Sequence, residues 1–414
     1  MKHTLYVARR LSLSSGGKRV SPAVGVATAA VALSVAVMLA AIAVVGGFKR
    51  EIQDKVIGFN SHLTISAASG ESDNLVSLSP SLRRILDETP FVTSYSLEAA
   101  MPAILKTPTD FKGVYFKALD GESGRSFIER NLESGTVPDF SQESASVENP
   151  RLLVSAVAAR ELDLKTGEKV DVYFISEGVK VRRMIVSGIF NSHFEAYDNI
   201  YIYGSKSLID ELAGLASEKG TALHVSTDSF ERVDAYADSL SGRLDRAFIQ
   251  GEIYKPYKVE TARERGRNYF SWLALLDTNV IVVLVLMTLV GCITLISGLL
   301  IIILDKISFI GVMKALGAAD GWLRNVFIYV SLRVAVVGML VGNVLMLGLL
   351  WIQERYHLIP LDADSYYIDF VPVEISLWPV VALNAGVVLI IWLSLILPSQ
   401  FVAKISPSTT MRYQ

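Results

Sequence analysis

Read for polarity alone, the chain alternates between runs that nearly exclude charge and stretches where apolar residues recur at short intervals. Four runs, Pro22–Phe48, Val280–Leu304, Asn325–Ile352 and Ile375–Val402, are long enough to cross a bilayer as helices, because about 20 mostly apolar residues span the hydrocarbon core. Extending the second toward its preceding aromatic residues, spans are predicted at 22–48, 269–304, 325–352 and 375–402. Lys18 and Arg19 precede the first run as they would a secretory leader. Its uncharged stretch is much longer than the ~7–15 residues of a leader core and ends without an A-x-A site, so a retained anchor is predicted.

The stretch from about 49 to 268 has a different rhythm. Leu63–Ser66 and Gly113–Ala118 read as strands, and Pro80–Glu88 as a helix with Arg83 and Arg84 on its wet side. Arg151–Ile175 reads as a helix, a Lys165-Thr166-Gly167 turn and a strand alternating through Val170, Val172 and Phe174. Val181–Phe190 and Asn199–Tyr203 continue as strands, Phe230–Phe248 as a helix, and the acidic, serine-rich Ser141–Pro150 as a surface loop or sub-domain boundary. No internal repeat is present.

Lysine and arginine near the span ends set the orientation. Lys2, Arg9, Arg10, Lys18 and Arg19 precede the first span, Lys306, Lys314 and Arg324 separate the second from the third, and Lys404 and Arg412 follow the fourth. Residues 353–374 carry one arginine against several acids. Both termini (1–21 and 403–414) and the 305–324 loop are therefore expected in the cytoplasm. Lys49, Arg50, Arg263, Arg265 and Arg267 run against this count, but they border a large domain, where the rule has less force. The expected fold is an α-helical membrane protein with four transmembrane helices plus a mixed α/β periplasmic domain inserted between the first and second.

Within the 305–324 loop, Phe309, Val312, Met313 and Leu316 recur at i, i+3, i+4 and i+7 and form one apolar stripe, with Lys306 and Lys314 off it. Gly317 suits a left-handed helix end, and Asp320 the N-terminal cap of the third span. A short amphipathic helix is predicted there, with an apolar face that needs a lipid interface or a groove in a partner.

Composition adds mainly exclusions. A net charge of −2 gives no reason to expect nucleic acid. The single cysteine, Cys292, lies in an apolar run and reads as a packing residue. The five histidines (His3, His62, His193, His224, His357) lack metal-ligand spacing, and HFEAY at His193 lacks the second histidine of a zinc-protease helix. GESGRS at Gly121 misses the nucleophile-elbow spacing by one residue. SSGGKRV and KTGEKV do not satisfy the phosphate-loop pattern. The expectation is a non-catalytic chain that binds no cofactor, with energy supplied by another chain.

The stretch DKISFIGVMKALGAADGWLRNVFI, Asp305–Ile328, resembles the coupling segment of the FtsX-like ABC permeases, except that Phe309 stands where the pattern usually has an acid. Val44–Ile65, Arg265–Leu284, Ile359–Ile375 and Leu397–Gln414 are further similar to the lipoprotein-releasing permeases of the LolC and LolE type. In the outer domain only ARELDLKTGEKVDVYF and the YDNIYIY region share the likeness.

This resemblance implies half of a dimeric membrane unit in the bacterial inner membrane, paired with a second permease copy or a paralogue. Two cytoplasmic LolD-like ATPase subunits, which bind ATP and magnesium, would dock on Phe309, Ile310, Val312, Met313, Lys314, Leu316 and Gly317. Lipoproteins would enter from the outer leaflet and pass to a periplasmic LolA-like carrier. Each buried CH₂ contributes about 0.8 kcal/mol, so a three-chain anchor holds on the order of tens of kcal/mol and does not leave unaided. Leu33, Val37, Met38 and Val44 of the first span, and Val283, Met287 and Val290 of the second, are expected to face acyl chains and membrane lipid. Ala32, Ala36 and Ala40 form a small-residue stripe, and Gly338 and Gly342 stand in GxxxG spacing beside Asn343, both suited to helix contact. Arg333 is expected to snorkel toward the cytoplasmic interface. Two alternatives are a signalling permease that controls a cell-wall hydrolase and a macrolide-type efflux permease, which normally carries its ATPase on the same chain.

Overall fold

The computed structural model describes residues 22–68, 75–119, 122–140, 148–176 and 178–400. The terminal segments with their basic residues, the SSGGKRV stretch and most of Ser141–Pro150 lie outside the described residues. In chain order the helices are α1 (Pro22–Asn60), α2 (Pro80–Asp87), α3 (Glu122–Arg130), α4 (Ala156–Glu161), α5 (Glu195–Asp198), α6 (Lys206–Ala213), α7 (Val233–Ile249), α8 (Ala262–Arg265), α9 (Arg267–Asp305), α10 (Ile307–Ala315), α11 (Asp320–Tyr356), α12 (Ala363–Tyr366) and α13 (Leu377–Ser399). The strands are β1 (Leu63–Ala67), β2 (Val76–Ser77), β3 (Val92–Glu98), β4 (Ala100–Lys106), β5 (Phe111–Ala118), β6 (Leu132–Gly135), β7 (Arg151–Ser155), β8 (Lys169–Ile175), β9 (Val179–Phe190), β10 (Tyr201–Gly204), β11 (Lys219–Gly220), β12 (Ala222–Thr227) and β13 (Tyr257–Thr261).

The chain divides into two compact units. Of the described residues, one holds those up to Arg50, Trp272–Pro360 and those from Phe370 onward; the other holds those of Glu51–Ser271 and Leu361–Asp369. Among the described residues four helices, α1, α9, α11 and α13, are long and apolar enough to cross a membrane. The helix expected at 22–48 runs twelve residues further, to Asn60, because nothing in GFKREIQDKVIGFN breaks it. All the described strands fall between α1 and α9 in sequence.

In the helical unit, Val31, Val35 and Met38 of α1 interleave with Leu295, Leu299 and Ile303 of α9, Phe327, Val330 and Ala335 of α11, and Ile391 and Leu395 of α13. Gly338 and Gly342 let α11 approach the α1 backbone. A Cβ at Gly342 would stand 2.4 Å from Ala32 O, and one at Gly338 2.7 Å from Thr28 O. The GxxxG spacing and part of the alanine stripe therefore meet across one helix pair. Asn343 and Asn384 join α11 to α13 by reciprocal amide hydrogen bonds of 2.7 and 3.1 Å, which satisfies both polar side chains where water is scarce.

The other unit is built on two main sheets. In the larger, the strands run β6-β9-β7-β10-β5-β4-β8, and pairing of β8 with the first half of β9 closes the ring. Phe116, Val154, Phe174 and Met184 fill its core. The smaller sheet has the order β13-β1-β12-β3, with β1 antiparallel to both neighbours. Arg151–Ser155 is a strand rather than the start of the predicted helix. It lies parallel to β9 and buries four successive residues, a two-sided pattern that has no strand alternation to read. The helix is confined to Ala156–Glu161, with Ser155 Oγ accepting from Ala158 N at 3.1 Å as its cap.

The C-terminal end of α1 is fastened to both sheets. Lys117 Nζ from β5 donates to Phe59 O at 2.8 Å, and His224 Nδ1 from β12 lies 3.0 Å from Asn60 O. Glu98 of β3 contacts both side chains, Lys117 at 2.6 Å. Side chains from both sheets thus reach carbonyls at the helix end, where the intrahelical partners run out. Burial alone would push the Glu98 carboxyl up, but Lys117 and His224 outweigh it and hold the group far below the usual carboxylate range.

Candidate functional site

The sequence that resembles a coupling segment folds as α10 and the turn behind it. Lys306 alone separates α9 from α10; its backbone (φ −110°, ψ 19°) turns the chain. The helix ends in a paired motif: Gly317 N donates to Lys314 O at 3.0 Å and Ala318 N to Met313 O at 2.9 Å. Gly317 has φ +88°, which is why glycine stands there and the helix stops after nine residues. Asp320 is the first residue of α11 and not its cap, a position held by Ala319 without a side-chain bond. Its carboxylate instead reaches back over the turn to Lys314 Nζ at 2.9 Å.

These contacts sort the faces of α10. Ile310 and Gly311 are buried, Ile310 in the core shared with α9 and α11, and the Lys314 side chain is only 10% exposed. Spacing of i, i+1 and i+4 makes this one inward face. On the other side Val312 is 52% and Leu316 76% exposed. Phe309 and Met313 are half-buried on the flanks, and Met313 packs against the core. Of the expected docking set, then, Val312, Leu316 and Gly317 stand outward, Phe309 and Met313 are shared, and Ile310 and Lys314 point inward. A helical period shows that one face is apolar; it does not show that Ile310, outside the stripe, is the anchor.

The residues expected to face acyl chains divide similarly. Leu33 and Val290 are exposed, and Val37, Val44, Val283 and Met287 are half-buried, with Met287 packed on the helical core. Met38 is buried, and Thr288 Oγ1 lies 3.5 Å from its sulfur. It faces a neighbouring helix, because a polarizable side chain beside a hydroxyl fills the gap between α1 and α9. Further along the same two helices Lys49 pairs with Asp277 and Phe48 meets Trp272 edge to face at 6.2 Å. Sequence reading missed this link, though a lone aspartate entering an apolar run and a lysine leaving one were both visible. Arg333 is exposed on α11. Cys292 is a free, half-buried thiol packed on the helical core. Among the described residues no group of three or more His, Cys, Asp or Glu side chains could hold a metal ion. The described residues of GESGRS belong to α3.

Comparison with known proteins adds to this geometry. Residues 281–407 match the family model described as FtsX-like permease C-terminal. Over 402 residues, 93% of this chain and 92% of the relative, the sequence is 22% identical to the lipoprotein-releasing system transmembrane protein LolC of Xylella fastidiosa (strain Temecula1). It is also 22% identical, over 92% of each chain, to the lipoprotein-releasing system transmembrane protein LolE of Haemophilus influenzae. Among solved structures it is similar to the periplasmic region of MacB from Actinobacillus actinomycetemcomitans, with 14% identity over 52% of this chain and 94% of that one. The TM-score is 0.34, too low to support an argument.

Proposed function

We propose that this chain, an FtsX-like permease by its residues 281–407, is the membrane subunit of an ABC transporter of the inner membrane. In this reading it takes lipoproteins from the outer leaflet and hands them to a soluble carrier, with its α/β unit in the periplasm and α10 in the cytoplasm. The observation that carries the coupling role is α10 itself. It is a nine-residue helix between two helices long enough to span a bilayer, anchored inward by Ile310, with Val312 and Leu316 left uncovered. An apolar face of that size on a capped, rigid helix fits a groove in a cytoplasmic ATPase. The full-length likeness to LolC and LolE supports the cargo class.

The chemistry fits a division of labour. Nucleotide-driven closure of two ATPases moves α10, and α9 and α11 follow because one residue on one side and a four-residue turn on the other join them to it. The chain contributes binding and movement; ATP and magnesium belong to the partner. Reconstitution in liposomes with a partner ABC ATPase, an acylated substrate protein and a soluble lipoprotein carrier tests this. ATP-dependent appearance of the acylated protein in the soluble fraction is expected. Release no greater than in the absence of ATP overturns the reading.

A further inference from the structure

Lys55 lies in the part of α1 that belongs to the α/β unit and is only 7% exposed. Its ammonium donates to two backbone carbonyls, Ser192 O at 2.6 Å and Tyr367 O at 2.7 Å. Burying a cation is unfavourable before compensation, and a neutral side chain would fill this space at lower cost. What Lys55 does that an apolar residue cannot is hold two distant backbone segments to one point.

Both segments are prepared for that contact. The turn at 191–194 is fixed from inside: Asp198 accepts from Ser192 N at 3.0 Å and from Ser192 Oγ at 2.7 Å, and Asn191 Oδ1 accepts from His193 N at 3.1 Å. The second segment is the loop Leu361–Asp369, which joins α11 to α13 yet packs with the α/β unit. Leu361 N donates to Asp369 O at 2.8 Å and closes it. Two further links tie loop to turn. His193 Nε2 lies 3.1 Å from Asp369 Oδ2, and the Tyr367 ring meets those of Phe194 and Tyr269 at 5.1 and 5.8 Å. His193 and Tyr367 both have positive φ, +56° and +63°. Such backbone is strained for a side chain other than glycine and persists where surroundings enforce it, commonly at working sites.

We infer that Lys55 is a positioning residue that clasps the 361–369 loop to the α/β unit, so that movement of the long helices is imposed on that unit and not absorbed by slack in the loop. Lys55 comes from α1, Tyr269 from α9 and Tyr367 from the α11–α13 connection, so the chain of all four long helices is represented at the clasp. The inference rests on the transporter reading for its consequence, but not for the clasp itself.

The experiment has two arms on the full chain with Cys292→Ala. In the first, His193→Cys with Asp369→Cys is treated with a short thiol-to-thiol crosslinker, with Lys55 intact, as Lys55→Met and as Lys55→Arg. Crosslinking is expected to fall at least fivefold with methionine and to recover at least half its yield with arginine. Equal yields with lysine and methionine overturn the clasp. In the second arm, with native His193 and Asp369, Lys55→Met and the surface variant Asp369→Ala are reconstituted with the ATPase. ATP hydrolysis is expected to stay within twofold of wild type, while acylated protein released per ATP falls at least fivefold for Lys55→Met and at least twofold for Asp369→Ala. Unchanged release per ATP, or hydrolysis and release falling in parallel, overturns the positioning role. If the wild type itself releases nothing, the transporter reading has failed, and the first arm alone decides the clasp.

Discussion

Replacing Gly342 by alanine tests whether α1 and α11 touch through their backbones. The new Cβ would stand 2.4 Å from Ala32 O and 3.1 Å from Ala32 Cα, whereas dispersion contacts are most favourable at ~3.5–4.0 Å. The obstacle is helix backbone, which cannot swing aside as a side-chain tip can, so the two helices must part by about 1 Å. A gap of that size forfeits roughly a quarter to a half of the attraction at each facing atom. Overpacking of this kind costs about 1–3 kcal/mol. Alanine also gains about 1 kcal/mol of helix propensity over glycine, which would blur a single measurement. A Cβ at Gly348, on the same helix, would meet nothing within 4 Å, so Gly348→Ala carries the propensity gain without the clash. The difference between the two variants isolates the steric effect, with Gly342→Ala less stable by about 1–3 kcal/mol. Unfolding by SDS in mixed micelles, followed by circular dichroism, measures it. Coincident unfolding midpoints for the two variants would refute the close approach.

Three other outcomes are expected from separate features. Val312→Asp and Leu316→Asp are expected to cut co-purification of the ATPase at least tenfold while leaving the melting temperature unchanged, whereas Ile310→Asp should lose the folded protein; normal co-purification of both outer-face variants would exclude that face as the dock. Because the Glu98 carboxyl titrates below its unfolded value, its contribution is complete above about pH 5 and drains away as the pH falls below that of an ordinary glutamate. Thermal melts of the wild type should therefore weaken on the acid side, and Glu98→Gln should be less stable at pH 7 by about 3–5 kcal/mol, the cost of leaving a buried partner charge unpaired, with a shallower acid limb; an unchanged acid limb would show that Glu98 is not responsible. Asn343→Leu strands the Asn384 amide and should cost roughly 1–2 kcal/mol in the same SDS titration, with Asn343→Leu/Asn384→Leu recovering part of it, and no recovery would mean that the amides do not act as a pair.

The long helices were legible because their signal is one-dimensional: a run of apolar residues needs no partner to declare itself, and α1, α9 and α11 contain the runs seen in sequence while α13 falls within the fourth. Their ends were less so. The polar turns of α1 after Phe48 carry Lys49, Arg50 and Lys55, which mark the edge of an apolar run but not the end of a helix. In the α/β unit, strands with one wet face such as Phe111–Ala118 were visible in part, there as Gly113–Ala118, while Arg151–Ser155, buried on both sides, read as helix. Val92–Glu98, Ala222–Thr227 and Tyr257–Thr261 were not anticipated; their partners lie far along the chain, β12 against β1 and β3, β13 against β1, so their identity depends on pairings that local pattern does not encode.

The short helix α10 shows how far periodicity reaches and what must be added to it. The stripe Phe309, Val312, Met313, Leu316 and the stop at Gly317 followed from spacing and from glycine's tolerance of positive φ. Which side of that stripe faces the protein depended on two residues outside it: Ile310, which enters the core, and Lys314, which Asp320 draws under the turn. A lysine one turn from an apolar stripe reads as a solvated charge until its carboxylate is found six residues on, across a helix break. The same holds for Lys55. In sequence it is one basic residue in a polar helix end, and only the meeting of Ser192 O and Tyr367 O at its ammonium distinguishes it from Lys49, whose carboxylate partner lies partly in solvent. At Lys55 the hydrogen bonds go to chain segments remote in sequence, so its role was set by the fold's long-range pairings and lay outside the reach of any window of residues; at Lys314 the partner is near in sequence, and it is the helix break between the two that hides the pair.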